Sequence, residues 1–322
     1  MFSDVFYTAN IFFNENIVFW IILNIFIGAC FASCIGLVVA RYPAMLKWQM
    51  DQDVKEYLLS KDPNNLHEDK DNATENKKPD GLWWPPSRCD SCHNELKFWH
   101  NIPILGWIML KGKCAFCDSK IPFSVLGVEL VGCSMGGLLA YYIGVSPLVW
   151  LWLVAGSLLL AAILIDWECG WLPDTMVLPL MWMGIFSAYF FGGQNYLPTL
   201  EQSILGVASG YGILWFINIF SQIVFRKQGI GDGDLKLLAA MGAWFGSVWV
   251  LNGFMLSTFI AIGFHFLHQN REKRRKELNK ESINDFVEGG FPFGPSLALG
   301  VILAYIIGYF NLVEGFPIIF NF

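Results

Sequence analysis

The sequence has few charged residues for its length. Asp, Glu, Lys and Arg make up 15% of the 322 residues, whereas about 25% is usual for a soluble globular domain. Hydrophobic residues reach 55%, with 28 Phe and 14 Trp, and the mean hydropathy is +0.46. This balance excludes a soluble globule, which would expose too much apolar surface to water, and a disordered chain, which needs the opposite composition. A polytopic membrane protein is the class that remains.

Lys and Arg are absent from most of the chain. All 21 of them fall in three islands, at residues 41–121, 226–236 and 268–292, and the net charge is −6. A nucleic-acid-binding domain would carry an excess of basic residues over a folded region. The sequence therefore predicts no nucleic-acid partner.

Eight apolar runs are predicted to be helical membrane segments, of which the sixth is a partial span. They are residues 17–40, 123–143, 148–165, 176–192, 204–225, 235–245, 247–267 and 293–310. With eight segments, the three basic islands lie on one side of the membrane, which the positive-inside rule makes cytoplasmic. The predicted fold class is an all-α polytopic protein of the lipid bilayer, with both termini outside the cytoplasm.

Composition also divides the chain into regions. Residues 1–40 are predicted to form an external terminus and the first membrane helix, 41–121 a cytoplasmic segment, and 122–322 the main membrane region. Within the cytoplasmic segment, residues 51–80 are rich in Asp, Glu, Lys and Asn, which predicts a solvated, partly disordered insertion. Residues 81–121 are different in character, because they carry four of the eight cysteines.

These four cysteines form two Cys-x2-Cys pairs, Cys89 with Cys92 and Cys114 with Cys117. Each pair can direct two sulfurs towards one point, and Zn²⁺ in structural sites takes four such ligands in a tetrahedron. A reducing cytoplasm disfavours disulfides, and a small segment without a core of its own gains stability from a metal. The prediction is a structural zinc site, with a redox dithiol as the alternative.

Two carboxylates are predicted at the same membrane depth on different helices. Asp166 ends the third apolar run, and Asp234 begins the sixth, in Gly231-Asp232-Gly233-Asp234. Paired carboxylates can share one proton, so that one activates water while the other polarises a scissile carbonyl, as in aspartyl proteases. The two glycines would let the backbone approach a substrate closely. Alternatives stay open: Asp234 as a helix cap, Asp166 as the end of a span, or Asp232 as the active carboxylate.

Three further acidic residues are candidates for supporting roles. Glu168, two residues after Asp166, is either a partner of that carboxylate or a solvated side chain. Asp174 follows a proline, which is more typical of a helix cap. Glu129 lies about 10 Å along the second span, where an ionisable group indicates either function or a buried hydrogen bond.

Several short motifs occur in a characteristic order. They are Cys89-x2-Cys92, Cys114-x2-Cys117, Glu129-Leu130, Ile165-Asp166, Leu172-Pro173-Asp174, Gly231-Asp232-Gly233-Asp234-x-Lys236, Gly242-Ala243-Trp244 and Pro292-Phe293-Gly294-Pro295. Each motif alone is weak, but their order and spacing are specific. Over nearly its whole length, the chain resembles the bacterial prepilin peptidases, also called type IV leader peptidases.

The resemblance implies a GxGD-type aspartyl protease with catalytic Asp166 and Asp234, and with Gly231, Gly233 and Lys236 supporting the active-site loop. The implied substrates are type IV prepilins or type II secretion pseudopilins, whose leader is cut after a glycine at the cytoplasmic face of the inner membrane. Rival functions are a GxGD protease with another substrate, a proton-coupled transporter, and a non-enzymatic pilin assembly factor.

Many members of the family also methylate the new amino terminus with S-adenosylmethionine, an activity associated with the region between the first two spans. Glu129 is accordingly a candidate substrate or methyl-transfer residue. Two features of this half of the chain depart from the family pattern. Gly36 stands where asparagine is usual, and Ser124-Val125-Leu126 replaces an Arg-Tyr-Pro sequence.

Overall fold

The computed structural model describes residues 10–61, 78–82, 84–89, 91–193, 197–226, 229–277 and 292–309. Regular secondary structure in these ranges is helical, apart from two isolated β-bridges. The helices are α1 Ile17–Lys61, a 3-10 helix Phe98–Asn101, α2 Leu105–Met109, α3 Phe123–Ile143, α4 Leu148–Cys169, α5 Asp174–Phe191, α6 Leu200–Phe225, α7 Asp232–Glu277 and α8 Gly294–Tyr309. The all-α fold class is confirmed.

Six helices, α1 and α3 to α7, are long and apolar enough to cross a membrane, and α8 is a shorter apolar helix. A hydrocarbon layer about 30 Å thick needs roughly 20 apolar residues in a helix. The chain is therefore a multi-pass membrane protein. The predicted sixth and seventh segments both lie within α7.

The helix α7 reverses direction at Gly246, where φ is 81° and ψ is 172°. In a straight helix, Asp234 and Phe264 would lie about 45 Å apart. Both lie instead beside the C-terminal end of α4: Asp234 interacts with Asp166, and the rings of Trp167 and Phe264 are 5.5 Å apart. The two arms of α7 therefore run in opposite directions, in agreement with the predicted boundary between the sixth and seventh segments.

The chain forms two compact units, Met1–Val145 and Ser146–Phe322. In the first unit, α1 and α3 pack with their backbones in close approach: a Cβ on Gly132 would lie 2.4 Å from the carbonyl oxygen of Gly28. Small residues at such contacts let membrane helices approach one another. Helix α3, which sequence analysis grouped with the membrane region that follows it, thus packs with α1.

The first helix is longer than predicted. It continues through Lys61, about 31 Å beyond the predicted end of its span at Ala40. Residues 51–61 contain no Gly or Pro and several good helix formers, so the helix propagates. Residues 51–61 of the predicted insertion belong to this helix, and residues 62–77 lie outside the described part of the chain.

In the second unit, glycines bring α6 and α8 close to the two arms of α7. A Cβ on Gly206 would lie 2.1 Å from the carbonyl oxygen of Gly242 in the first arm, and a Cβ on Gly253 in the second arm would lie 2.4 Å from the Cα of Val301 in α8. These contacts fix how the helix ends meet. The end of α4 and the starts of α7 and α8 converge at one end of the unit, where Gly294 and Asp234 both interact with Asp166.

Candidate active site and metal site

Asp166 lies in the last turn of α4, and only 4% of its surface is exposed. The helix ends just beyond it at Gly170, whose φ of 67° is left-handed and whose N–H donates to the carbonyl of Asp166 at 2.7 Å. The carboxylate oxygen Oδ2 accepts a hydrogen bond of 2.9 Å from the backbone N–H of Gly294, the first residue of α8. A buried carboxylate is thus held against the start of another helix.

Asp234 lies in the first turn of α7 and is half-buried. Its carboxylate accepts a hydrogen bond from the backbone of Gly231, and its own N–H donates to the Gly231 carbonyl at 3.1 Å. Asp234 is the third residue of α7 and does not hold the cap position itself, although its carboxylate bonds the backbone just before the helix. The same carboxylate also acts electrostatically on Asp166, so the fold brings the two predicted catalytic carboxylates together.

Leu172 packs between the two glycine-containing turns that carry these contacts. A Cβ on Gly233 would lie 2.8 Å from the Cβ of Leu172. A Cβ on Gly294 would lie 2.7 Å from Oδ2 of Asp166 and 3.4 Å from Cδ1 of Leu172. A larger residue at either position would collide with Leu172 or Asp166, so the packing of the site requires glycine at both.

Two further residues contact the site region although the sequence reasoning assigned them no role. Gly294 appeared only within the Pro-Phe-Gly-Pro motif, which was its one signal. Asn218 of α6 is buried, and its Oδ1 accepts a hydrogen bond of 3.2 Å from the N–H of Gly229, just before the Gly-Asp-Gly-Asp loop. Nothing in the sequence near Asn218 marks it, because its partner lies on another element.

The remaining predicted site residues lie at the rim. Lys236 forms an ion pair with Asp174, with Nζ 2.8 Å from Oδ1 and 2.7 Å from Oδ2. Asp174 is the first residue of α5 and is not its cap, because Pro173 holds that position. Asp232 is exposed at the start of α7, and Glu168 is half-buried in the last turn of α4.

The four predicted metal ligands also meet. The sulfurs of Cys89, Cys92, Cys114 and Cys117 all lie within 4.8 Å of one another. Cys89 and Cys117 are 3.7 Å apart and Cys92 and Cys114 are 4.0 Å apart, measured between sulfurs. Four ligands at about 2.3 Å from a tetrahedral Zn²⁺ are separated by about 3.8 Å, so this cluster fits one metal ion.

The two cysteine pairs lie on turns of the same construction. In each, the residue four positions after the first cysteine donates its N–H to the carbonyl of that cysteine, from His93 to Cys89 at 2.9 Å and from Asp118 to Cys114 at 3.2 Å. Both donors have a φ of 56°. Each turn is closed by an isolated antiparallel bridge, Arg88 with Glu95 and Lys113 with Lys120. The turns therefore present their sulfurs from two equivalent supports.

The Ser119 hydroxyl favours the metal-binding form of two of these cysteines. Its oxygen lies 3.4 Å from the sulfur of Cys89 and 3.2 Å from that of Cys117. The Ser119 hydrogen bond is the main reason that the pKa of Cys89 is lowered to about 6, and it also lowers the pKa of Cys117. The thiolate is the form that ligates metals, and the pKa shifts favour it at these two cysteines but not at Cys92, whose pKa desolvation and the other three cysteines raise to about 11.

Comparison with known proteins identifies the family to which the chain belongs. Residues 26–143 match the bacterial peptidase A24 N-terminal domain, and residues 153–266 match the type IV leader peptidase family. The chain is 31% identical to a prepilin leader peptidase/N-methyltransferase of Dichelobacter nodosus, over 89% of this chain and 92% of the relative. The chain belongs to the type IV leader peptidase family.

Other relatives carry the same name. The chain is 31% identical to one from Pseudomonas putida, over 90% of this chain and 91% of the relative. It is 34% identical to one from Neisseria gonorrhoeae, over 68% of this chain and 72% of the relative. No solved structure matches the chain. The two family matches fall one in each compact unit: the first contains the cysteine cluster, and the second contains Asp166 and Asp234 but ends before Gly294.

In this leader peptidase, Glu129 makes a buried hydrogen bond, one of its two predicted alternatives. Only 6% of its surface is exposed, and its Oε2 accepts a hydrogen bond of 2.7 Å from the N–H of Ile104. Ile104 has a φ of 61°, so the carboxylate stabilises a constrained turn after the first cysteine pair. Glu129 also lines a cleft between α1 and α3, so the hydrogen bond does not exhaust its possible roles.

Proposed function

We propose that the protein is a prepilin leader peptidase that cuts the leader of type IV prepilins or pseudopilins with Asp166 and Asp234 as its catalytic carboxylates. One observation carries the proposal: the buried carboxylate of Asp166 lies beside that of Asp234, and the N–H of Gly294 holds it in place. A charged pair inside a membrane protein is costly to maintain without a function.

The geometry supports an aspartyl-protease mechanism. Two neighbouring carboxylates cannot both ionise cheaply, so the pair keeps one proton. The ionised carboxylate takes a proton from a water molecule, which attacks the scissile carbonyl carbon. The protonated carboxyl donates a hydrogen bond to the carbonyl oxygen and stabilises the negative charge that develops there. The carboxyl that took the proton from water then gives it to the leaving amine as the carbon–nitrogen bond breaks.

We place this site at the cytoplasmic face of the inner membrane, with both termini in the periplasm. The basic islands support the orientation, because Arg226 and Lys236 flank the loop that carries Asp234, and residues 271–276 belong to the α7 arm that returns to the same end. Lys and Arg accumulate on the cytoplasmic side of membrane proteins. A substrate helix in the bilayer would present its leader at this level.

We further propose that the first unit N-methylates the product and that the four cysteines bind a structural zinc ion. The names of the relatives include N-methyltransferase, and the sulfur geometry fits Zn²⁺. S-adenosylmethionine, when bound, supplies an electrophilic methyl group to the new terminal amine. The zinc ion would hold together a segment that has little core of its own.

Mass spectrometry of a prepilin incubated with the purified chain and S-adenosylmethionine tests both activities. Loss of the leader together with one added methyl group is the expected result, and loss of the leader alone would remove the transferase proposal. Asp166→Asn and Asp234→Asn should each abolish cleavage while the protein stays folded. Full cleavage by either variant would refute the pair, and loss in Asp232→Asn instead of Asp234→Asn would move the assignment.

A further inference from the structure

A cleft of about 460 Å³ lies in the first unit, between α1, the start of α3 and the chain before the first cysteine pair. Its volume falls in the range of small-molecule sites. The wall from α1 consists largely of small residues, including Ala32, Gly36 and Ala40. Four charged residues also line the cleft, Arg41, Asp80, Arg88 and Glu129.

Two of these charges compensate each other and two do not. Asp80 and Arg88 form an ion pair. Arg41 donates to backbone carbonyls, at 2.9 Å to that of Gly81 among others, and Glu129 accepts from a backbone N–H. Those partners carry no net charge. Among the described residues that line the cleft, Arg41 and Glu129 therefore bond only to uncharged backbone groups, so neither charge is neutralised by its hydrogen-bond partner.

We propose that this cleft binds S-adenosylmethionine, with Arg41 facing the ligand carboxylate and Glu129 facing its positive charge. The ligand carries an ammonium, a carboxylate and a sulfonium, so its charges complement a cleft that has an uncompensated cation and anion. Buried charges of opposite sign give specificity to such recognition. The inference rests on the proposed methyltransferase function and assigns the residues that would hold the cofactor.

Gly36 provides the variant that tests the cleft itself. A Cβ at this position would meet nothing within 4 Å, and Gly36 lines the cleft. Gly36→Leu should therefore add side-chain volume to the cleft from a Cβ that meets no neighbouring atom. Gly127 on α3 is the matched control, because a Cβ there also meets nothing within 4 Å and the residue is not among those that line the cleft.

Equilibrium binding of radiolabelled S-adenosylmethionine to the full chain in nanodiscs is the measurement. Gly36→Leu should weaken binding by about tenfold or more, and Glu129→Gln, which can still accept from Ile104, by roughly tenfold or more. Gly127→Leu should bind like the wild type. Unchanged binding in Gly36→Leu, or equal loss in Gly127→Leu, would overturn the proposal.

A zwitterionic lipid headgroup has related charge chemistry and is the competing occupant. Binding is therefore compared in nanodiscs with and without phosphatidylethanolamine. Binding that is insensitive to this lipid supports the proposal. The proposal would be refuted if phosphatidylethanolamine competed with S-adenosylmethionine and the wild type and Gly36→Leu then bound the cofactor with equal affinity.

Alkylation of Cys34 gives a second test without any variant. Cys34 is exposed and lines the cleft, whereas Cys133 is half-buried and is not among the lining residues. S-adenosylmethionine should slow the alkylation of Cys34 several-fold relative to that of Cys133, as quantified by peptide mass spectrometry. Equal rates with and without the cofactor would contradict the site. Leader cleavage is measured on the same preparation, so that a failed peptidase proposal is distinguished from a failed cleft.

Discussion

Replacing Gly294 with alanine is the most direct test of how the active site is built. The substitution adds one methyl group at the first residue of α8, where the backbone has no left-handed φ and accepts alanine. The new Cβ would lie 2.7 Å from Oδ2 of Asp166 and 3.3 Å from its Cγ. The carboxylate must then move by about 0.7 Å to reach ordinary contact distance, which breaks its hydrogen bond to the Gly294 N–H.

The expected loss follows from that hydrogen bond. A hydrogen bond to a charged group contributes about 1.5–3 kcal/mol, and each 1.36 kcal/mol in the activation free energy is a factor of about ten in rate. Gly294→Ala should therefore reduce kcat/KM for leader cleavage by about 10- to 150-fold. Misplacement of a catalytic group by about 1 Å produces losses of similar size.

The assay is leader cleavage of a prepilin in detergent or nanodiscs, followed by gel shift and mass spectrometry. Gly212→Ala is the matched control, because it is a helical glycine of the same unit whose added Cβ meets nothing within 4 Å. Gly212→Ala should cleave normally and melt close to the wild type, while Gly294→Ala should melt a few degrees lower but remain folded at the assay temperature. Full activity in folded Gly294→Ala would show that the contact does not position Asp166 for the reaction.

The cysteine cluster and the Lys236–Asp174 ion pair give two further predictions. Cys89→Ser removes one of four metal ligands, so it should lower the zinc content measured by elemental analysis. Hydrogen exchange around the second cysteine pair should increase in the same variant. A wild-type protein without zinc would contradict the metal site. Lys236→Ala should lower the free energy of unfolding by no more than about 1 kcal/mol, because its ion pair with Asp174 is partly exposed. Cleavage should then fall less than tenfold, and a far larger loss in a folded variant would give Lys236 a direct part in the reaction.

The sequence was sufficient for those features that depend on local pattern. Apolar run lengths predicted the membrane helices, and the division between residues 235–245 and 247–267 coincides with the break in α7 at Gly246. Cys-x2-Cys spacing predicted a cluster whose sulfurs do converge. In each case the sequence pattern that carries the prediction is local: an apolar run within one helix, or a Cys-x2-Cys pair within one turn.

Features that depend on distant backbone contacts were not predictable. The N–H of Gly294 and the carboxylate of Asp166 are 128 residues apart in the chain, and no periodicity links a backbone donor to its acceptor. The extension of α1 to Lys61 was missed for another reason. High charge content predicts a solvated, partly disordered segment there, whereas the helix propensity of residues 51–61 favours continuation of a helix that is already nucleated.

The position of Asp166 explains why α8 belongs to the active site. Asp166 lies in the last turn of α4, where the carbonyl groups at the helix end disfavour a nearby negative charge. The opposite holds at a helix start, where free N–H groups favour an anion. Helix α8 begins at Gly294 with its N–H on the Asp166 carboxylate, and α7 begins at Asp232 with Asp234 in its first turn. Two helix starts thus offset the burial of the pair and the unfavourable end of α4, so the second unit needs its last helix to hold a negative charge between the two carboxylates.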